Sequence, residues 1–329
     1  MAARTAFAVC LAGWCWLATA QTPDVERARK EADVVWYTAM STQDADAMRR
    51  AFAEKYPGMN VTVLRQPGEK IRTRILAEAQ ANKHGWDVVS FNMLDMDALR
   101  QQGLLASYRS RETQTSFPAG TVDPEGRWAA IYQRQYVLGY NTNLVPAGRA
   151  PKDWPDLLDA SWKGRIALDE SDVEWYGSML EAMGRERGQD FMRRLAQQSP
   201  TFRRGHTLLM NLLVAGEYPA AVVFASEVEQ AKRTGAPVDW VRTTAPVVSS
   251  ASLVAISAKS AHPNAARLFV DFMLSQEGQT TILRRGRTPV RTDLPLEASA
   301  QPLNVFFVNP RLAGEFSAVE RAYGETFKR

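Results

Sequence analysis

Apolar residues along the chain alternate between short β-branched or aromatic runs and longer segments in which they recur at helical spacing. A short apolar run bounded by polar residues, Pro or Gly predicts a buried strand, and helical recurrence predicts an amphipathic helix. Strands that alternate with helices predict a parallel, right-handed βαβ sheet covered on both faces. In chain order, the first part of the sequence predicts strand 33–37, helix 44–56, strand 60–65, helix 71–83 and strand 86–91.

Two long extended segments interrupt this alternation. Residues 128–145 alternate apolar with polar residues before a Pro-rich stretch, and residues 238–257 form a second extended segment after another α/β unit. Two crossings between α/β units predict two discontinuous lobes around a cleft. We place the crossings near residues 131–141 and 241–256. The predicted division is residues 21–134 with 247–300 for the first lobe, and residues 135–246 with 301–329 for the second.

Residues 1–20 predict a secretory signal peptide. Arg4 precedes a brief apolar run, and Ala18, Thr19 and Ala20 form a small-residue cleavage pattern. We therefore expect cleavage near Ala20 and a mature protein in the periplasm, with an uncleaved signal anchor as the alternative. No later segment reaches the roughly 18 consecutive apolar residues that a spanning helix needs.

Composition and motifs exclude several classes of function. Hydrophobic residues make up 45% and charged residues 23%, as in ordinary soluble proteins. The net charge of +4 comes from basic residues interspersed with acidic ones, so no nucleic-acid partner is expected. Cys10 and Cys15 both lie in the predicted signal, which leaves the mature chain without a thiol. GxSxG, HExxH and P-loop motifs are absent, so we expect neither an enzyme nor a cofactor.

Eight stretches follow one another in a recognisable order: VVWYTA, NVTV, WDVVSFNM, YVLGYNT, WKGRIAL, AGEYPAAVV, AARLFVDFMLSQEGQ and GRTPVR. Their order and spacing, over nearly the whole mature chain, resemble the type 2 periplasmic solute-binding proteins of ABC importers, in particular the ferric-iron-binding and related anion-binding branch. The resemblance implies an α/β, two-lobed periplasmic-binding-protein fold, in which each lobe is a mostly parallel sheet flanked by helices. It also implies a receptor that closes on a small-molecule ligand and delivers it to ABC permease subunits in the inner membrane. We expect a monomer.

The similar ferric proteins hold their metal with a His after the first strand, a Glu after the third, and two adjacent Tyr in the second lobe. The matching positions of this chain hold Ser41, Asn92, Ser226 and Glu227. Fe³⁺ prefers anionic oxygen ligands, and only Glu227 supplies one directly, so ferric binding by the usual scheme is not expected. A ferric receptor that uses exogenous anions remains an alternative, as does an enzyme or a sensor-linked receptor on the same fold.

Loops at the carboxyl ends of the strands predict the ligand contacts of the first lobe, because helix N-termini present free N–H groups there. Thr38, Ser41 and Thr42 combine hydroxyl groups with the start of a helix, and Asn92 follows the third strand. This arrangement suits a phosphate or a carboxylate. Ordinary helix capping is the alternative role for the same side chains.

The second lobe is predicted to hold the other side of the ligand. Arg203, Arg204 and His206 precede an apolar helix, and Ser226 and Glu227 follow a buried strand. The arginines suit a clamp on an anion, and His206 lies where related proteins hold one; solvated arginines and a capping His are the alternatives. Glu227 favours an amine or sugar hydroxyls instead. The acidic loop at 169–172 either shares that role or only complements a helix dipole.

Aromatic residues complete the predicted site. Tyr136, Trp175 and Tyr176 are candidates to stack on a ring or to cover an alkyl part of the ligand. An anion-binding cradle on one side and carboxylates on the other predict a small anionic or zwitterionic solute, such as a sugar phosphate or an aminophosphonate. No bound metal is expected.

Overall fold

The computed structural model describes residues 23–294, 303–309 and 311–328. The predicted signal peptide at 1–20 therefore lies outside the described residues. Within the described ranges, no helix is both long and apolar enough to cross a membrane.

The first lobe alternates helices and strands, as its apolar pattern predicts. Its elements are α1 (Val25–Glu31), β1 (Asp33–Thr38), α2 (Thr42–Lys55), β2 (Asn60–Arg65), α3 (Gly68–Gln80), β3 (Val88–Phe91) and α4 (Met93–Gln101). The strand β1 pairs in parallel with β2 on one side and with β3 on the other. Ser41 and Asn92 cap α2 and α4, because their side chains accept hydrogen bonds from the backbone N–H groups three residues later.

The chain enters the second lobe through one long strand, β4 (Ala129–Asn141). The lobe then contains β5 (Ile166–Asp169), α5 (Val173–Met183), α6 (Arg185–Gln197), β6 (Thr201–Arg203), α7 (His206–Ala215), β7 (Ala220–Phe224), α8 (Ala225–Arg233) and β8 (Val238–Trp240). The strand β5 pairs in parallel with β6 and β7, and β4 runs antiparallel to β7 and β8. Short 3₁₀ turns lie at Arg111–Thr113, Ala147–Arg149, Trp154–Leu158 and Ala160–Trp162.

The chain returns to the first lobe through a second long strand and then ends on the second lobe. The remaining elements are β9 (Val247–Ile256), α9 (Pro263–Leu274), α10 (Gln276–Arg284), β10 (Thr288–Pro289), β11 (Val305–Phe307) and α11 (Leu312–Phe327). The strand β9 runs antiparallel to β3 and β4 and pairs in parallel with β11. Because β4 pairs with β9 up to Gln135 and with β7 from Tyr136, a single strand passes from one sheet to the other. The residue boundaries of the lobes stay a prediction.

Apolar side chains cover both faces of each sheet, which gives every lobe a helix–sheet–helix arrangement. In the first lobe, the ring centroids of Trp36 and Phe52 lie 5.3 and 4.9 Å from that of Phe269 in α9, in edge-to-face contact. In the second lobe, Trp154 packs on Trp175 with ring centroids 5.6 Å apart. The predicted two-lobed α/β fold is confirmed.

The extended segment predicted at 238–257 is divided into β8 and β9 in the structure, and the stretch AARLFVDFMLSQEGQ is divided between α9 and α10. Ser275 separates the two helices and caps the second, since its Oγ accepts the N–H of Gly278 at 3.2 Å. A Cβ atom at position 278 would lie 2.0 Å from the backbone oxygen of Phe272, so only glycine permits this close junction.

A buried carboxylate, Asp87, joins three segments of the first lobe. Its Oδ1 accepts hydrogen bonds from Ser260 Oγ and the His262 N–H, at 2.7 and 3.1 Å. Its Oδ2 lies 2.8 Å from the Val35 nitrogen and 2.9 Å from His262 Nδ1. Burial opposes the negative charge, but these hydrogen bonds hold the pKa of Asp87 below its usual 3.8. The ionised form therefore stabilises the fold above the unfolded-state pKa, and this contribution is lost as the pH falls through the folded pKa.

We expect Asp87→Asn to lower the free energy of unfolding by about 3 kcal/mol, because an amide NH₂ would then face N–H donors. Chemical denaturation at neutral pH measures the change. Glu54→Gln, at an exposed position of the same lobe, is the control and should change stability by less than about 0.5 kcal/mol. A loss in Asp87→Asn no larger than that of the control would contradict the prediction.

Asp271 of α9 has the opposite pH dependence. It accepts a hydrogen bond from the Tyr108 hydroxyl at 2.8 Å, and burial raises the pKa of Asp271 from 3.8 to about 6. A carboxyl group with a raised folded pKa destabilises the fold increasingly as the pH rises from about 4 to 6. Asp271→Asn should therefore raise the free energy of unfolding by about 1 to 2 kcal/mol at neutral pH and by little at about pH 4. Denaturation at both pH values measures this, and equal effects would refute it.

Candidate functional site

The strand β4 places two polar side chains where its pairing passes from one lobe to the other. Arg134 pairs in register with Ser250 of β9, and Tyr136 pairs with Phe224 of β7. Side chains two residues apart in a strand lie on the same face. Arg134 and Tyr136 therefore project to one side of the junction between the lobes.

Glu174, in the first turn of α5, lies beside both of these residues. Its carboxylate is 3.8 Å from Arg134 Nη2 and 3.5 Å from the Tyr136 hydroxyl. Burial, reinforced by the charge of Glu174, raises the pKa of Tyr136 well above 10, so its hydroxyl is neutral at physiological pH. The Nε of Arg134 is buried and has no hydrogen-bond partner among the described residues. The Nε of Arg134 is therefore a candidate donor to a ligand.

Asp169, the last residue of β5, holds together the loops that precede α5 and α7. Its Oδ1 accepts from the N–H and the hydroxyl of Ser171 at 2.8 and 2.6 Å, and its Oδ2 accepts from the Gly205 N–H at 2.7 Å. The two loops bring Asp172 against His206, with 2.8 Å between Asp172 Oδ1 and His206 Nε2. Asp172 is only 1% exposed, and its Oδ2 has no partner within the described ranges.

His206 begins α7, and its ring is enclosed by neighbouring side chains. The ring centroid lies 4.0 Å from that of Phe224 and 5.7 Å from that of Tyr136. The side chain is 13% exposed, and no described residue bonds to its Nδ1. Burial disfavours the charged ring, but the adjacent carboxylates, Asp172 foremost, raise the pKa of His206 above its usual 6.5. His206 is therefore a candidate cation in the cleft.

Glu227 lies in the first turn of α8, directly after β7. Its Oε2 is buried, and the described part of the chain offers it no hydrogen bond. Burial raises the pKa of Glu227, while the positive charges of His206, Arg287 and Arg134 act in the opposite direction. Since Arg287 follows α10 in the first lobe, Glu227 faces charges from both lobes.

Asp44, a buried residue in the first turn of α2, holds two arginines of the first lobe. The Nε atoms of Arg285 and Arg287 lie 3.0 and 2.9 Å from the two carboxylate oxygens of Asp44. Against the effect of burial, these arginines and the Ser41 hydroxyl lower the pKa of Asp44. The ion pairs fix both guanidinium groups beside the start of α2.

The side chains predicted to bind ligand in the first lobe are largely engaged by the fold. Thr38 is fully buried, and its Oγ1 lies 2.7 Å from Ser90 Oγ and accepts the Met40 N–H at 3.0 Å. Ser41 and Asn92 are helix caps, and Thr42 is exposed at the first position of α2. Internal hydrogen bonds therefore replace the ligand contact expected of Thr38, and capping accounts for Ser41 and Asn92.

Two of the three predicted aromatic contacts belong to the core. Trp175 is fully buried against Trp154. The hydroxyl of Tyr176 lies 2.9 Å from Thr326 Oγ1, in α11. Packing within the second lobe therefore takes both rings away from the stacking role expected of them. Tyr136 is the predicted aromatic residue that lies beside His206.

The remaining predicted residues of the second lobe separate into two groups. Arg204 is exposed, and Ser226 is buried in the first turn of α8. His206 and Glu227 come close enough for each to influence the pKa of the other. Arg204 therefore lies apart from the buried candidate site, which contains His206 and Glu227.

Sequence reasoning missed three charged residues of the cleft: Arg134, Glu174 and Arg287. Arg134 could have been found, since it stands two residues before Tyr136 on the predicted crossing strand. Glu174 lies two residues after the acidic loop at 169–172, and Arg287 lies in the GRTPVR stretch. The sequence pattern alone does not show that Glu174 and Arg287 lie at the cleft.

Comparisons with known proteins agree with this architecture. A model of the family described as bacterial extracellular solute-binding protein matches residues 47–304. An uncharacterized protein of Haemophilus influenzae is 26% identical over 276 residues, which cover 79% of this chain and 78% of that protein.

Solved structures show the same fold at low sequence identity. Iron-bound HitA from Pseudomonas aeruginosa is 24% identical with a TM-score of 0.76, over 89% of this chain and 99% of HitA. AfuA from Actinobacillus pleuropneumoniae, with exogenous fructose-6-phosphate bound, is 22% identical with a TM-score of 0.72, over 90% and 98% of the two chains. The chain belongs to the bacterial extracellular solute-binding proteins, the family that supplies small ligands to the permease subunits of ABC importers.

Proposed function

We propose that the cleft binds a small zwitterionic or anionic solute that carries a phosphate, phosphonate or carboxylate group together with an ammonium or hydroxyl group. The observation behind this proposal is the chemistry of the unpartnered buried atoms. Arg134 Nε and His206 Nδ1 are available as donors, whereas Glu227 Oε2 is available as an acceptor. A ligand with both acceptors and donors complements these three atoms.

Burial of these atoms explains why such a ligand would bind tightly. A buried polar atom without a partner costs about 1 to 3 kcal/mol, and a ligand that supplies the partner recovers this free energy. Affinities from micromolar to nanomolar correspond to about 8 to 12 kcal/mol. A few such hydrogen bonds, charge-assisted in each case, therefore provide a large part of the binding free energy.

The position of the charged groups supports binding by lobe closure. Arg287 belongs to the first lobe, His206 and Glu227 belong to the second, and Arg134 lies on the strand that joins them. A ligand shifts a conformational equilibrium only through its higher affinity for one state. A solute that contacts all of these groups would stabilise the closed state. We propose that this closed form, as a monomer in the periplasm, is the one that the permease subunits receive.

The ligand class is tested by calorimetric titration of the purified protein. We would use 2-aminoethylphosphonate, fructose 6-phosphate and, as a neutral control, fructose, after native mass spectrometry has shown whether a ligand is retained on purification. Binding of either phosphorus compound with no binding of fructose supports the proposal. Binding of fructose alone, or of a retained ligand without an anionic group, would overturn it.

Glu227→Gln tests the acceptor side of the site. We expect the affinity for 2-aminoethylphosphonate to fall roughly tenfold, because a neutral amide replaces the carboxylate that faces the ammonium group. The melting temperature of the ligand-free protein should stay equal or rise, since the charge removed is buried and unpartnered within the described chain.

Glu217→Gln is the matched control for this measurement, because Glu217 is an exposed glutamate of the same lobe. It should change neither affinity nor melting temperature. If Glu227→Gln binds as tightly as the control, the acceptor assignment is wrong.

Iron is a second candidate ligand, favoured by the carboxylates in the cleft and by the similarity to iron-bound HitA. Polar atoms of Asp169, Asp172 and His206 lie within 4.8 Å of one another. Both oxygens of Asp169 already accept hydrogen bonds, and Nε2 of His206 is bonded to Asp172. We therefore assign no metal to these three residues.

We expect the purified protein to be colourless and to hold no stoichiometric Fe³⁺ after incubation with ferric citrate. The reason is that Ser41, Asn92 and Ser226 supply no anionic oxygen where the similar ferric proteins have metal ligands. Visible absorption and metal analysis measure this. A charge-transfer band that persists against excess citrate would establish iron as the ligand instead.

A further inference from the structure

The contact between Asp172 and His206 is more constrained than a simple helix cap requires. Asp172 precedes α5 and makes no side-chain capping bond to that helix. Its Oδ1 instead bonds to His206 Nε2, while the ring of Phe224 lies 4.0 Å from the imidazole centroid at an angle of 35°. One edge and one face of the imidazole are thus fixed by the protein, and Nδ1 is left without a partner in the described chain.

The charged groups around the imidazole come from several elements. Asp172 lies before α5, Asp169 ends β5 and Glu227 begins α8, and all three act on His206 with negative charge. The positive charge of Arg134 in β4 interacts with the carboxyl groups of Asp172 and Glu227, and that of Arg287 in the first lobe interacts with Glu227. Tyr136 packs on the imidazole as a neutral side chain, and Glu174 lies against Arg134. The carboxylates nearest the ring thus favour its protonated form.

We propose that Asp172 is a positioning residue that favours His206 as an imidazolium ion, so that Nδ1–H is a charge-assisted donor for the anionic group of the solute. The role of the Asp172–His206 pair in ligand binding rests on the function proposed above. A neutral imidazole that donates from Nε2 to Asp172 would carry a lone pair on Nδ1 and would repel an anion. The charge set by Asp172 therefore selects solutes whose anionic group is ionised.

The charge of His206 can be measured without any ligand. The chain contains three histidines, so NMR titration of their ring protons gives three curves, and His206→Gln identifies the relevant one. We expect His206 of the wild-type protein to titrate above about 6.5, the usual value for histidine. In Asp172→Asn, which keeps the shape and an acceptor oxygen, the pKa of His206 should fall by one unit or more. A wild-type titration at or below the usual value would overturn the proposal, whether or not the variant folds.

His262 provides an internal control, because it pairs with a different buried carboxylate, with 2.9 Å between its Nδ1 and Asp87 Oδ2. Its ring-proton chemical shifts at neutral pH should be the same in wild type and in Asp172→Asn. An equal shift at His262 and His206 would mean that the substitution perturbs the whole fold, and would count against a specific role of Asp172.

Binding of 2-aminoethylphosphonate gives the second readout. Relative to wild type, Asp172→Asn should bind about tenfold more weakly at about pH 8, and the difference should shrink as the pH is lowered to about 5.5, because His206 gains its proton in both proteins. A loss that is the same at both pH values would indicate a merely structural role and refute the proposal. If the NMR shift occurs but no anionic probe binds at any pH, the charge assignment stands and the proposed ligand class fails.

Discussion

The antiparallel pairing of β4 with β9 is the constraint on which both lobes depend. The strand β4 pairs with β9 in the first sheet up to Gln135 and with β7 in the second sheet from Tyr136, so one strand belongs to both sheets. Two strands joined in this way can bend and twist together but cannot slide past one another without breaking their backbone hydrogen bonds. Relative motion of the lobes is therefore confined to a hinge. Arg134 and Tyr136 lie at that hinge, whereas His206 and Glu227 are carried by helices of the second lobe.

The cleft is polar because of where the strands end. Asp169 and Phe224 end adjacent strands of the second sheet, and the loops and helix starts that follow them present Asp172, His206 and Glu227. Buried polar atoms in native proteins nearly always have partners, so several unpartnered ones in one place call for an explanation. Unpartnered buried polar atoms destabilise the fold locally, and the well-packed cores of the two lobes can tolerate this cost. The unpartnered atoms are the contacts that the proposed site offers to a solute that complements them.

Much of the fold could be predicted from sequence, because strands such as β1 and β3 are continuous apolar runs and α2 shows clear helical spacing. The break between α9 and α10 could not be predicted, since it depends on contact between Gly278 and the turn before it. The site was only partly predictable. His206 and Glu227 stand at recognisable element ends, whereas Arg287 reaches the cleft through a tertiary ion pair with Asp44. Trp175 and Tyr176 follow an acidic loop, but which face of α5 they occupy is set by packing on neighbouring helices.

The return of the chain to the first lobe determines when that lobe can fold. Trp36 and Phe52, early in the chain, complete their core against Phe269 in α9, which comes late in the chain. Contacts between such distant segments form slowly, because a long loop must close before they stabilise anything. During synthesis, β1 and α2 therefore emerge from the ribosome long before their packing partner exists. Late folding of this kind keeps a chain extended and able to pass through a secretion channel, which suits a protein whose function lies outside the cytoplasmic membrane.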